Sequence, residues 1–496
     1  MLYQSTREGG RRVTAAQAIA QGLADDGGLF VPDNFPLLTD ESICTLTTKP
    51  YRNRAAYVMG LFLSGFSEDE LYRWSAEAYD TPAFDHPSVA PLYKLDGKTH
   101  FLELWHGPTC AFKDMALQML PRLLTASLVK TDERRDVCIL VATSGDTGKA
   151  ALEGFRDIQG TKIVVFYPRD GVSDIQKLQM SSQEGSNVSV VAVDGNFDDT
   201  QAGVKAIFSD EGFRRELDGN GCFLSSANSI NWGRLVPQIA YYVSAYCDLL
   251  AAGEIGQGDR INFCVPTGNF GNILAAYYAM KAGLPINKLI CASNRNNVIT
   301  QLFNTGVYDR NRQFYTTSSP SMDILVSSNL ERLLFETSGK NGGAVTEYMS
   351  SLSYKGRYEV SPAIYDEMAR SFAGGWCSEE NTMKTIAGTF KKENYLLDTH
   401  TAVAYRVLEE YREVSGDDTL TVVISTASPF KFSDSVLKAL GEPCTGDCTV
   451  LINTLSAISG CPVPGPLAAL KNKTPRFHGS VPPSGMAGAL QEFLNS

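Results

Sequence analysis

The chain has 496 residues, 43% of them hydrophobic and 20% charged. This is an ordinary globular composition that excludes a disordered or collagen-like chain and predicts roughly two to four structural units. Lys and Arg number 44 against 55 Asp and Glu, a formal net charge of −11. That balance argues against nucleic acid as a partner, and any anionic ligand must be held by local donors against the overall field.

The N-terminal stretch is polar from the fourth residue and lacks an apolar signal core. No apolar run approaches the ~20 residues needed to cross a bilayer. A cytoplasmic protein without membrane contact is therefore expected. Eleven cysteines, an odd number and mostly set among apolar residues, read as free buried thiols in a reducing compartment. Cys444, Cys448 and Cys461 share their region with one histidine, His478. A zinc site would want a closer Cys/His set, so no metal is expected.

Residues 1–90 are expected to be largely helical, with helices near 15–23 and 67–79. The second opens with Ser67 followed by three acids, a sound helix start. From about residue 90 the pattern becomes alternating strand and helix. Continuous apolar runs predict buried strands at 137–142, 163–167, 188–193, 261–266, 289–293 and 420–426. A helix at 173–179 begins with a Ser173/Gln176 capping box. Strand–turn–helix repetition of this kind predicts mostly parallel α/β sheets, with functional loops at the carboxyl ends of the strands.

Three loops carry chemistry. Thr143-Ser144-Gly145-Asp146-Thr147-Gly148 lies between a strand and a helix. Its hydroxyls, glycines and helix start suit a carboxylate or phosphate, while a simple capped turn competes equally. Thr267-Gly268-Asn269-Phe270-Gly271-Asn272 is the second. It lacks the Lys-Ser/Thr pair of a P-loop and the third glycine of the dinucleotide fingerprint, which leaves a compact phosphate cup without metal. The third, His106 to Asp114, carries Lys113 just beyond a turn. A lysine there is usually a solvated charge; pointed into a cleft, its lowered pKa would make it a Schiff-base nucleophile.

Taken with YQSTREGG, DGGLFVP, HGPTCAFKD, TSGDTG, NSINWGR, PTGNFGN, SMDILVSSNLERLLFE, DTHTAVAY and STASPFKF, these loops make the chain resemble the threonine synthase family. Those are pyridoxal-phosphate (PLP) enzymes of the tryptophan-synthase-β fold type, and the resemblance covers nearly the whole chain. It implies PLP-dependent fold type II: two open α/β domains with the cofactor in the cleft, plus the N-terminal helical part. The expected division is 1–90 as a family-specific N-terminal region, 91–130 with 240–496 as the large PLP-binding domain, and 131–239 as a small, mobile domain.

Residue by residue, the resemblance implies that Lys113 holds PLP covalently and is the catalytic base. Phe112 packs near the ring, and Gly268, Asn269, Phe270, Gly271 and Asn272 cradle the cofactor phosphate. Thr426 faces the pyridine nitrogen. Thr143, Ser144, Asp146 and Thr147 match the element that receives the substrate carboxylate. Asp146 is expected to be protonated, turned away or paired with Lys149. Asn228, Ser229 and Arg234 match the substrate phosphate site, where Arg234 suits bidentate binding; an interdomain salt bridge is its structural alternative. His400 is expected to be structural. The implied activity is a lyase of threonine biosynthesis, converting O-phospho-L-homoserine and water to threonine and phosphate, in a monomer or homodimer. The rivals are a phospho-lyase releasing α-ketobutyrate, ammonia and phosphate, and a non-catalytic PLP-binding protein.

Overall fold

The computed structural model describes residues 1–7, 11–143, 145–170 and 172–495. Ser144, one of the expected substrate-binding residues, lies outside them.

Two open sheets organise the chain. The larger has six strands in the order Phe372–Trp376, Ile286–Ser293, Ile261–Pro266, Thr421–Ser425, Thr99–Glu103 and Leu92–Lys94. All neighbours are parallel except the last pair, which is antiparallel. The smaller has five parallel strands: Ser480–Val481, Val188–Val193, Thr161–Pro168, Asp136–Ala142 and Cys222–Ser225. Central strands such as INFCVP and TVVIS are buried throughout, as expected when helices cover both faces of a parallel sheet.

The smaller sheet corrects one expectation. The sequence pattern places residues 240–496 as a block in the large unit, yet Ser480–Val481 pairs with Val188–Val193 in the small sheet. The terminal helix Met486–Asn495 packs there too, with Met486 and Leu490 joining the apolar cluster of Val164 and Ile207. A two-residue strand and a short amphipathic helix carry too little pattern to announce which sheet they complete.

The N-terminal part holds the helices Ala15–Gln21, Asp40–Thr47, Tyr51–Phe62 and Glu68–Tyr79, plus a two-stranded pairing of Tyr3–Ser5 with Phe30–Pro32. Ser67 caps the last of these helices in a full capping box with Glu70. This part is joined to the rest through Trp232, wholly buried and ringed by Tyr3, Phe62 and Tyr278 at centroid distances of 5.2, 6.1 and 5.7 Å. Trp232 begins the buried helix Trp232–Ala251, so the N-terminal region braces the NSINWGR turn. Among the described residues, no helix is long and apolar enough to cross a membrane.

Helix–helix contact brings the sheets together where it matters. A Cβ on Gly154 would lie 2.0 Å from the Leu117 carbonyl, so only glycine lets the helix Asp146–Phe155 rest on the helix Asp114–Leu117. That contact sets the start of one helix, Asp146, beside the start of the other, Lys113.

Candidate active site

All four loops of interest leave the carboxyl ends of parallel strands: 106–113 after Thr99–Glu103, 143–147 after Asp136–Ala142, 267–272 after Ile261–Pro266, and Thr426 after Thr421–Ser425. This is the ligand-binding edge of an open α/β sheet. Phe112 and Thr426 meet through the backbone, where the Phe112 N–H donates to the Thr426 carbonyl at 2.8 Å. The Phe112 ring lies 5.0 Å from the Lys113 ammonium.

Lys113 is buried, and its Nζ donates to Ser321 Oγ at 3.2 Å. Asp146 Oδ2 stands 3.7 Å away. Burial depresses the Lys113 pKa to about 8, against the opposing pull of Asp146 and with help from the charges of Lys431 and Arg234. An amine tuned near neutrality serves both as nucleophile and as general base. The alternative of a solvated lysine therefore fails on burial alone.

Asp146 is ionised and paired, but not with Lys149. Lys149 bonds instead to Glu153 at 2.9 Å and to Gln183. The partner of Asp146 is Lys431, fully buried, with Nζ 2.7 Å from Oδ1; Gln176 Nε2 donates to the same oxygen at 3.0 Å. Burial would raise the carboxyl pKa, but Lys431 and then Lys113 hold it well below the usual range. Lys431 lies far from Asp146 in the chain, and no sequence spacing announced the pair.

The second loop has the form of a cup. Phe270 is left-handed (φ 66°) and precedes the helix Gly271–Lys281, which has no side-chain cap. Its first N–H groups are thus open to an anion. A Cβ on Gly268 would lie 2.5 Å from the Ser321 carbonyl, which brings the cup against the segment that holds Lys113. Ser327 Oγ donates to the Gly268 carbonyl at 2.9 Å, and Asn329 Nδ2 to the Asn269 carbonyl at 3.1 Å and to Ser229 Oγ at 3.2 Å. Asn272 accepts from Tyr241 and Tyr242 hydroxyls at 2.5 and 2.6 Å.

Ser321, Ser327, Ser328 and Asn329 were missed as site residues. They lie inside SMDILVSSNLERLLFE, so the motif was visible while its contact with the cup was not. Arg332 of the same segment bonds Asn329, and the carbonyls of Phe30 and Ile230, tying the cup to the N-terminal part.

Of the remaining expected residues, Arg234 is buried, and its Nη1 donates to the Ala227 carbonyl at 2.7 Å. Burial lowers its pKa to about 10, so it stays charged at neutrality and forms no salt bridge among the described residues. Ser229 joins the cup through Asn329. Asn228 is exposed, and its N–H bonds Ser226 Oγ. The Thr143 hydroxyl accepts the N–H groups of Gly145 and Gly148 at 3.0 and 2.9 Å, so it shapes its own turn. Thr147 is half-buried. His400 is buried, with Nδ1 3.1 Å from Asp398 and Nε2 accepting the Ser321 N–H at 3.2 Å.

Pyridoxal phosphate fits these residues. Asn272 Nδ2 beside the cup and Arg234 Nε are buried donors with no protein partner, as expected where anionic groups are to be received. Lys113 would hold the aldehyde carbon and the 268–272 loop the phosphate.

A buried, pKa-lowered lysine beside a glycine-rich cup of open N–H groups, at the ligand edge of two mostly parallel sheets, fits a pyridoxal-phosphate enzyme of fold type II. The family described as pyridoxal-phosphate dependent enzyme matches residues 75–426, flanked by threonine synthase N terminus at 2–79 and threonine synthase C-terminal at 401–477. Threonine synthase of Pseudomonas aeruginosa is 42% identical over 441 residues, 88% of this chain and 90% of its own length. Human threonine synthase-like 1 is 41% identical across 86% of this chain, which spans 58% of that longer protein. The PLP-bound threonine synthase structure from Brucella melitensis superposes with a TM-score of 0.88 at 36% identity, covering 100% of both chains. The chain belongs to the threonine synthase family.

Proposed function

We propose that the chain converts O-phospho-L-homoserine and water to L-threonine and inorganic phosphate, using pyridoxal phosphate. The observation that carries this reading is Lys113, buried, tuned to about pH 8 and set against the phosphate cup in a chain of this family. Bound there, the cofactor withdraws electrons from the substrate's α-carbon and so makes its neighbouring protons removable.

The 268–272 loop and the start of the helix Gly271–Lys281 hold the cofactor phosphate with backbone N–H groups. Arg234 and Ser229 bind the substrate phosphate. The 143–147 turn receives the α-carboxylate, with Lys431 cancelling the charge of Asp146. Neutral Lys113 Nζ takes the proton from Cα. Loss of a proton from Cβ accompanies cleavage of the Cγ–O bond, which releases phosphate. The Cβ proton leaves with the phosphate; Lys113 Nζ then returns a proton to Cγ, water adds its oxygen at Cβ, and Lys113 passes the proton given up by that water to Cα. A small-sheet unit closing over the cleft would keep water out until that last step.

All eleven cysteines are free, which supports a reducing, cytoplasmic setting. Product analysis by NMR tests the reading: threonine and phosphate should form in equal amounts from phosphohomoserine. Formation of α-ketobutyrate and ammonia without threonine would replace it with the phospho-lyase reading.

A further inference from the structure

The site contains a second buried lysine that the reaction above does not use as base. Lys431 lies in the short 3-10 turn Pro429–Phe432 and has no exposed surface. A fully buried ammonium is costly unless its surroundings are arranged for it. Its Nζ donates to the carbonyl of Thr109 at 2.9 Å and contacts Asp146 Oδ1 at 2.7 Å.

Those two acceptors sit on different parts of the molecule. Thr109 belongs to the loop that ends in Lys113, and Asp114 steadies that loop by accepting the Thr109 N–H at 2.8 Å and its hydroxyl at 2.7 Å. Asp146 opens a helix that follows a strand of the small sheet. Lys431 thus grips the loop carrying Lys113 and the carboxylate facing Lys113. With Oδ1 held by Lys431 and Gln176, Oδ2 is the oxygen left toward Lys113, at 3.7 Å.

We propose that Lys431 is a positioning residue for Lys113, fixing Asp146 and the 109–113 loop in register while its charge tunes the protonation of that lysine. Loss of the charge acts in one direction by two routes. The repulsion that favours neutral Lys113 disappears, and Asp146 is released to pair with Lys113 alone. The other groups around the pair are Asp114 and the Cys110 thiol on the lysine loop, Arg234 from the helix Trp232–Ala251, and His400, which reaches Lys113 through Ser321. None of them can take over the grip on both Thr109 and Asp146.

The inference rests on Lys113 being the cofactor lysine, and its test separates the two ideas. Cofactor-free, full-length protein is mixed with pyridoxal phosphate, and the rate of attachment is followed by absorbance across pH. Attachment needs neutral Lys113, so the wild-type midpoint is expected near 8. Lys431→Met should move it up by about one unit, making attachment about tenfold slower at neutral pH. Lys431→Arg, which keeps the charge, should stay within about a third of a unit of wild type. Lys431→Gln keeps hydrogen-bonding ability without charge and should move as far as Lys431→Met, so it decides the matter if the methionine variant does not fold. The acid limb of the holoenzyme's kcat/KM profile should shift in the same sense. Unmoved midpoints in both neutral variants, or an equal shift in the arginine variant, would overturn the role given to Lys431. Lys113→Ala serves as control: persistent attachment there would instead overturn the assignment of Lys113.

Discussion

The loop after Ile261–Pro266 and the loop after Asp136–Ala142 hold equivalent positions, each between a buried parallel strand and a helix start, yet their electrostatics are opposite. The first is neutral. Its glycines, asparagines and phenylalanine are braced by Ser327, Ser328 and Asn329. The second carries a buried carboxylate held between two buried ammonium groups. A ligand group of constant charge, such as a phosphate, is well served by fixed backbone dipoles. A lysine that must gain and lose a proton needs charges nearby, because only they shift its pKa by useful amounts.

The contrast is most directly broken at Lys113. Lys113→Ala should lower phosphate release by about 10³-fold or more, and a milder loss would mean that another group serves as base. Next comes Asp146→Asn, which leaves Lys431 buried without its carboxylate and should destabilise the protein by about 3 kcal/mol at neutral pH. Denaturant midpoints measure this. Because the folded state holds the Asp146 pKa below its unfolded value, the stabilisation is fully present above about pH 4 and fades as the pH falls further. The gap between wild type and variant should therefore close in acid.

Two smaller effects sharpen the neutral side. Arg234→Ala removes charge-assisted hydrogen bonds worth about 1.5–3 kcal/mol, so KM for phosphohomoserine should rise about 10- to 100-fold. Inhibition by inorganic phosphate should weaken in parallel, with less change in kcat. Gly268→Ala forces a methyl toward the Ser321 carbonyl and should cost about 1 kcal/mol or a little more. Equilibrium dialysis against pyridoxal phosphate should show several-fold weaker binding, and unchanged affinity would mean that the cup has slack.

Much of this could be read from the chain because it is local. The buried strands announce themselves as apolar runs, and the Ser67 and Ser173 capping boxes form as their spacing demands. The cup-shaped turn at 268–272 follows from its glycines and the helix behind it. The association of Ser480–Val481 with the small sheet could not be read this way, since two residues carry no periodicity. Nor could the Asp146–Lys431 pair, because Lys149, three residues on, offered a nearer partner in sequence than the one that folding supplies.

By itself, then, the sequence determined the alternation of strand and helix, the loops able to hold anions, and the lysine placed among them. It also posed the problem of a chain of charge −11 with anionic ligands. Tertiary structure decided how that problem is solved: packing at Gly154 sets Asp146 beside Lys113, and the turn at 429–432 brings in Lys431 from a distant segment. Propensity and periodicity act over a few residues, whereas a buried charge can be neutralised only by whatever the completed fold places within a few ångströms of it.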